Sequence, residues 1–107
     1  MALVTFEEAM TYLRVDSSDE DALIGILLSS AEELSFDVAR LNPAVEALVK
    51  AEPEEDDTAE IIHDRELLKT AILYALGYLY EHREEADHHD LIMTLRSILF
   101  SIREGVF

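Results

Sequence analysis

Histidine and carboxylate side chains lie close together near the C-terminal end of the sequence. The members of this patch are Glu81, His82, Glu85, Asp87, His88, His89 and Asp90. Imidazole nitrogens and carboxylate oxygens at this density can bind Zn²⁺ or Ni²⁺. However, the sequence has no His-Glu-x-x-His motif, and polar residues are also expected wherever a turn joins two helices. We therefore interpret the patch as a solvated helix junction and predict no metal and no cofactor.

No other set of residues has the pattern of a catalytic centre. The acids occur in runs, which is typical of solvated faces rather than of paired catalytic carboxylates. The absence of cysteine excludes disulfides, thiolate metal ligands and a cysteine nucleophile. With three glycines in the chain there is no glycine-rich phosphate loop, and no Gly-x-Ser-x-Gly motif occurs. We predict that the protein is not an enzyme and has no catalytic residues.

The overall charge excludes one further class of function. The 107 residues include 24 Asp and Glu but only 8 Lys and Arg, which gives a formal net charge of −16. A protein that reads DNA sequence needs Lys and Arg for phosphate contacts, so this class is excluded. Half of the residues are hydrophobic, which predicts a packed core rather than a disordered acidic tail. The length fits one domain over residues 1–107.

Much of the negative charge lies in one short segment. Residues 52–60 contain six acids and no base. These acids are Glu52, Glu54, Glu55, Asp56, Asp57 and Glu60. Pro53 and the density of like charge disfavour regular structure at the start of this segment. We predict an acidic loop over residues 51–60.

Capping signals and helical spacing predict helices on the N-terminal side of this loop. The capping box from Thr5 to Glu8 starts a short helix that ends near Leu13. A long helix follows from about Asp19 to about Arg40, and Ser18 with Asp21 can form its N-cap. The apolar face predicted for this long helix consists of Leu23, Ile26, Leu27, Ser30, Ala31, Leu34, Val38 and Leu41. Asn42 and Pro43 then start a short segment, Ala44 to Lys50.

Two more helices are predicted after the loop. The first runs from Ile61 to about Glu84, with Thr58 or Asp57 as its cap, and Gly77 can mark a close helix crossing. Its apolar stretch from Leu67 to Tyr80 is shorter than the ~20 residues of a membrane span, so no membrane contact is predicted. Asp87 or Asp90 can cap the last helix. The apolar face of that helix consists of Leu91, Ile92, Leu95, Ile98, Leu99 and Ile102.

These elements predict an all-α fold. No segment alternates with a period of two residues, so no sheet is expected. We expect a small bundle of about four helices: a short N-terminal helix, two long helices and a C-terminal helix, with the acidic loop.

The tyrosines of the central helix have two possible roles. Tyr74 and Tyr78 are four residues apart and share a face, whereas Tyr80 points elsewhere. Tyrosine is favoured at interfaces because it has an apolar ring and a polar tip. Packing in the core, with the hydroxyl groups at its edge, is the other interpretation. Arg83 can pair with Glu84, with Asp87 or with a neighbouring subunit.

Three segments carry a resemblance to a known family. Residues 4–16, Val-Thr-Phe-Glu-Glu-Ala-Met-Thr-Tyr-Leu-Arg-Val-Asp, with 18–24, Ser-Asp-Glu-Asp-Ala-Leu-Ile, resemble the opening of the head–tail connector proteins of tailed bacteriophages, also described as phage DNA-packaging proteins. Residues 79–84, Leu-Tyr-Glu-His-Arg-Glu, look like the family's motif at the end of its central helix. Residues 97–103, Ser-Ile-Leu-Phe-Ser-Ile-Arg, resemble its terminal element more weakly. Together the matches touch most of the chain outside residues 42–66.

The resemblance implies a structural role without catalysis. Family members are small all-α subunits that assemble into a ring of about twelve copies. The implied ring lies at the head–tail junction of the virion, is assembled in the cytoplasm of the bacterial host, and joins the portal protein to the tail-side completion protein. DNA passes through the channel without specific binding. The acidic loop suits such a channel because its charge repels the DNA backbone.

We assign candidate residues to these contacts. The candidates for the oligomer interface, taken from the motifs and from the tyrosines, are Tyr12, Arg14, Asp16, Tyr74, Tyr78, Tyr80 and Arg83. The acids of residues 52–60 are the candidates for the channel or for a partner. A second class of function stays open, because an acidic helical domain can also be a DNA mimic or a regulatory protein that binds a basic partner.

Overall fold

The computed structural model describes residues 3–84 and 87–102 of the chain and contains five α-helices and one 3₁₀ turn. The α-helices are α1 (Phe6–Leu13), α2 (Asp21–Ala39), α3 (Pro43–Lys50), α4 (Ala59–Glu81) and α5 (His89–Leu99), and the 3₁₀ turn is Phe100–Ile102. These described residues include no strand, so the predicted all-α class is confirmed. The layout of about four helices is replaced by five because the segment after Asn42 forms a helix of eight residues.

Local caps explain where three of the helices begin. The Thr5 hydroxyl accepts a hydrogen bond from the Glu8 N–H at 3.1 Å, and the Glu8 carboxylate accepts one from the Thr5 N–H at 3.0 Å. The Asn42 side chain accepts from the Val45 N–H, and Pro43 occupies the first helical position. The Thr58 hydroxyl accepts from the Ile61 N–H at 3.2 Å. These predicted caps are confirmed.

The predicted start of α2 is wrong by two residues. The Ser18 carbonyl accepts a hydrogen bond from the Asp21 N–H, and the Ser17 hydroxyl accepts one from the Asp19 N–H. Residues 17–20 therefore form a turn, and Glu20 occupies the N-cap position without a side-chain cap. At its other end α2 stops at Ala39, and the C-cap residue Arg40 lies in the left-handed region with φ 50°.

The predicted apolar face of α2 is also partly wrong. Ile26 is 65% exposed, whereas Ile24 and Ser35 are fully buried. The buried residues of α2 are Ile24, Ala31, Ser35, Val38 and Ala39. This helix is apolar around most of its circumference, so the spacing of its apolar residues does not select one face.

Helix α4 is the centre of the bundle, as predicted. It packs along α2 and also contacts α1, α3 and α5. Its fully buried apolar residues are Leu68, Ala71, Ile72, Ala75 and Leu76. It ends at Glu81 rather than near Glu84. No helix in residues 3–84 and 87–102 has both the length and the apolar character needed to cross a membrane.

Helix α5 closes the bundle with one apolar face. Leu91, Leu95 and Leu99 are fully buried, in agreement with the prediction. Among the described residues, the N-cap position of α5 is occupied by His88, not by Asp87 or Asp90. The His88 side chain makes no capping hydrogen bond. Instead, the Asp87 carboxylate accepts a hydrogen bond from the His89 N–H at 2.9 Å.

Candidate functional site

A cavity lined with tyrosines lies between the end of α1 and the second half of α4. Its volume is about 600 Å³. Five of the seven candidate interface residues line this tyrosine cavity, namely Tyr12, Arg14, Tyr74, Tyr78 and Tyr80. Tyr12 is 48% exposed and Tyr74 39%. The structure therefore brings residues from two distant segments of the sequence into one concave surface.

Gly77 makes room for one wall of this cavity. A Cβ atom at Gly77 would lie 3.1 Å from Cε2 of Tyr12, and the three nearest atoms outside α4 all belong to the Tyr12 side chain. Gly77 therefore marks a contact between two helices, and the group that approaches it is an aromatic side chain from α1. The absence of a side chain at this position lets the Tyr12 ring lie against α4.

Two of the three histidines of the predicted patch pack on a tyrosine. The rings of Tyr78 and His82 stack with centroids 4.1 Å apart, and His88 approaches the Tyr78 ring edge-on at 6.2 Å. Nδ1 of His82 lies 2.9 Å from the Tyr78 carbonyl oxygen. Within the described ranges, no three His, Asp or Glu side chains are placed to hold a metal ion. Glu85 of the patch lies outside those ranges.

A polar cluster joins the start of α2 to the end of α4. The Glu20 carboxylate accepts hydrogen bonds from the Tyr80 hydroxyl at 2.6 Å and from Arg83 Nη1 at 2.8 Å. The hydrogen bond from Tyr80, and then the one from Arg83, lower the pKa of Glu20. Within the described residues Arg83 therefore pairs with Glu20, and not with Glu84 or Asp87 as expected, while a contact with a neighbouring subunit stays a prediction. Sequence spacing does not reveal Glu20 as the partner because it lies 63 residues from Arg83.

The acidic loop is anchored through Asp57. Asp57 pairs with Arg65, whose guanidinium also donates to the carbonyl oxygens of Leu48 and Val49 at 2.8 and 3.2 Å. Arg65 is only 9% exposed and binds carbonyls of the last turn of α3, where a helix leaves carbonyl groups without intrahelical partners. The Leu48 carbonyl also accepts a hydrogen bond from the N–H of Ala51, the C-cap residue. The hydrogen bond from Arg65 is also the main reason that the pKa of Asp57 is lowered.

The other candidate acids of the loop have a different environment. Glu52, Glu54, Glu55, Asp56 and Glu60 are exposed. None of these five carboxylates forms an ion pair with another residue in the described segments. Asp57 is therefore a structural residue, while the other acids can face a partner or a channel. Sequence analysis did not identify Arg65, although a lone arginine just after an acidic loop was a usable signal.

The remaining candidates lie at the edges of the tyrosine cavity or outside it. Arg14 ends α1 in the left-handed region with φ 59°, is exposed, and forms no ion pair with the described residues. Asp16 lies in a different depression of about 500 Å³, the α1–α2 hollow, which is also lined by Phe6, Met10 and Asp21. Arg103 of the terminal motif lies outside the described residues.

Comparison of the chain with protein-family models, with curated proteins and with solved structures gives no match.

Proposed function

We propose that this protein is a head–tail connector subunit of a tailed phage or prophage. In this role it forms a ring of about twelve copies beneath the portal, and DNA passes through the ring. The portal protein and a tail-side completion protein are its partners in the virion. The protein contributes shape and contacts, and no catalysis.

The proposal depends mainly on one observation: the two segments that most resemble the connector family, residues 4–24 and 79–84, contact each other in the fold. The opening segment supplies Tyr12 and Glu20, and the segment at the end of α4 supplies Tyr80 and Arg83. Glu20 binds both Tyr80 and Arg83, while Tyr12 lies against Gly77 of α4. The two motifs therefore form one structural unit, which supports reading them as parts of one signature.

The tyrosine cavity supports a role in assembly. Tyr12 and Tyr74 present half-exposed rings at this concave surface, and aromatic residues of this kind are enriched at protein interfaces. Arg14 adds an unpaired cation at the same site. We assign this surface to a protein partner within the head–tail junction.

The acidic loop supports the channel part of the proposal. Its exposed acids, from Glu52 to Asp56, carry charge of the same sign as the DNA backbone. Repulsion at short range allows DNA to slide past without binding. Replacement of Glu52, Glu54, Glu55 and Asp56 by their amides is expected to slow DNA ejection from reconstituted particles. Unchanged ejection would exclude the loop from the channel.

The test of the assembly proposal is the mass of the purified protein. Light scattering and sedimentation should show a mass that rises toward about twelve subunits, alone or after addition of the portal protein. The double variant Tyr12→Ser/Tyr74→Ser should weaken binding to the portal or tail-side protein. Ile62→Ser is the matched control, since Ile62 is 47% exposed on α4 and does not line the cavity. A monomer under all these conditions would contradict the proposal.

One observation favours the second candidate, a DNA mimic or regulatory protein for a basic partner. The loop acids without ion pairs place several exposed negative charges close together in the sequence. Such a protein should stay a monomer or dimer and should bind a basic enzyme tightly at low salt, with affinity falling as salt rises. The mass measurement therefore separates the two candidates.

A further inference from the structure

On the outer face of α5 two exposed apolar residues flank one cation, and the other exposed residues of this face are His89, Asp90 and Ser97. Met93 is 47% exposed and Phe100, in the 3₁₀ turn that continues α5, is 63% exposed. Residues three and four positions apart are neighbours on a helix face, so Arg96 lies beside both Met93 and Phe100. Arg96 is exposed and has no ion pair within the described residues. The buried leucines of α5 occupy the opposite side of the helix.

The α1–α2 hollow has the complementary character. Phe6 and Met10 supply apolar surface, and Asp16 and Asp21 supply carboxylates. Phe6 is 37% exposed. Oδ1 of Asp21 is buried and has no hydrogen-bond partner among the described residues. A buried acceptor without a donor is unfavourable, so a donor from outside would be stabilising here.

We infer that the outer face of α5 docks into the α1–α2 hollow of a second copy of this chain. Met93 and Phe100 then cover Phe6 and Met10. Arg96 lies beside the carboxylates of Asp16 and Asp21. The inference rests on the proposed ring assembly and names one of its interfaces. Because the two surfaces are different, the contact is heterologous, and repetition by a closing rotation produces a ring.

The distribution of charged residues indicates that a second copy of this chain occupies the α1–α2 hollow. A chain with net charge −16 repels its own copies unless cations face acids at the contact. Among the seven cations in the described ranges, Lys50, Arg65, Lys69 and Arg83 already form ion pairs. The three that remain are Arg14, Arg40 and Arg96. Of these, Arg96 alone is flanked by exposed apolar residues at helical spacing.

Two further cavities among the described residues suit α5 less well. In the tyrosine cavity Arg14 would face Arg96, and the two like charges would repel each other. In the depression between α2 and α3, Nζ of Lys50 lies 4.5 Å from the centroid of the Phe36 ring, so its one aromatic surface is already covered. The α1–α2 hollow is therefore the one of these three that offers open apolar surface and acids without a cation.

A charge exchange in the full chain tests this interface. Arg96→Glu should raise the protein concentration needed for half-assembly by at least tenfold, and Phe100→Ser should act in the same direction. The double variant Arg96→Glu/Asp16→Arg should restore assembly because the pair is re-formed with reversed signs. Arg40→Glu is the matched control, since it makes the same change in net charge at an exposed arginine outside both surfaces. Circular dichroism checks that each variant is folded.

The outcomes separate this inference from the proposed function. Wild-type rings together with normal assembly of Arg96→Glu would overturn the interface and leave the connector role standing. Loss of assembly in Arg96→Glu without recovery in the double variant would also overturn the pairing with Asp16. A wild-type protein that never associates, even with the portal protein, would overturn both. Recovery in the double variant, with Arg40→Glu assembling normally, supports the interface.

Discussion

The Glu20 carboxylate accepts a hydrogen bond from the Tyr80 hydroxyl at 2.6 Å, although the two residues are 60 positions apart in the sequence. Arg83 binds the other carboxylate oxygen at 2.8 Å and lies 5.0 Å from the centroid of the Tyr80 ring. This cluster fixes the start of α2 against the end of α4. Because the pKa of the Glu20 carboxyl group is lowered in the folded state, the stability of the fold should depend on pH through this group.

Glu20→Gln should make the protein less sensitive to acid. The pKa of Glu20 is lowered in the folded state, so its contribution is complete above the ordinary Glu value of 4.5 and is lost as pH falls through the folded value. The variant should have a lower Tm at pH 7 and a shallower fall in Tm between pH 5 and pH 3. Glu33→Gln, at an exposed acid of α2, is the control. Equal pH slopes for wild type and Glu20→Gln would contradict this prediction.

Arg65→Met should be strongly destabilising. It leaves the partly buried Asp57 carboxylate without its cation and removes the hydrogen bonds that Arg65 donates to the carbonyls of Leu48 and Val49. The loss in free energy of unfolding should be roughly 3 kcal/mol, measured by urea denaturation. Asp57→Asn should also lower stability, whereas Glu55→Gln in the same loop should not. A neutral result for Arg65→Met would show that Arg65 does not anchor the loop.

Gly77→Ala should separate stability from partner binding. Alanine in a helix interior gains about 0.5–1 kcal/mol over glycine, and the half-exposed Tyr12 ring can move to relieve the 3.1 Å approach. The variant should therefore be at least as stable as wild type in urea. Displacement of Tyr12 should nevertheless weaken any contact made through the tyrosine cavity. Marked destabilisation would mean that the Tyr12 ring is held firmly in place.

Asp64→Asn should stabilise the protein at neutral pH. Asp64 is 6% exposed, and its burial, followed by repulsion from Glu60, raises its pKa. The folded state then holds the proton more tightly, so stability is greatest below the ordinary Asp value of 3.8 and is lost as pH rises through the folded value. The gain in Tm should be clear at pH 7 and absent at pH 3. Asp56→Asn, with the same change in charge at an exposed site, should show no comparable gain.

Sequence reasoning located the features that depend on neighbouring residues. The caps at Thr5, Asn42 and Thr58 each involve groups three positions apart, which a pattern of adjacent residues specifies. The buried face of α5 was predictable because its apolar residues follow one stripe. The class of fold follows from these local signals.

Contacts between distant segments were not predictable in the same way. Helical spacing placed Ile26 of α2 on the buried face, but Ile26 is exposed. Because α2 is apolar around most of its circumference, its sequence does not show which side packs against the other helices. The partner of Arg83 and the role of Arg65 depend on helices that come together only in the folded chain. In the candidate site, residue type identified the tyrosines, but their grouping around Gly77 depends on how α1 lies on α4.

The long separation of these contacts has a consequence for biosynthesis. Glu8 pairs with Lys69 and Glu20 pairs with Arg83, so the N-terminal helices lack their binding partners until α4 leaves the ribosome. At about 5–20 residues per second, roughly 3–13 s pass between the synthesis of Glu20 and that of Arg83. During this interval the nascent chain exposes the apolar surface of α2. The bundle therefore closes only after the acidic loop and α4 have emerged.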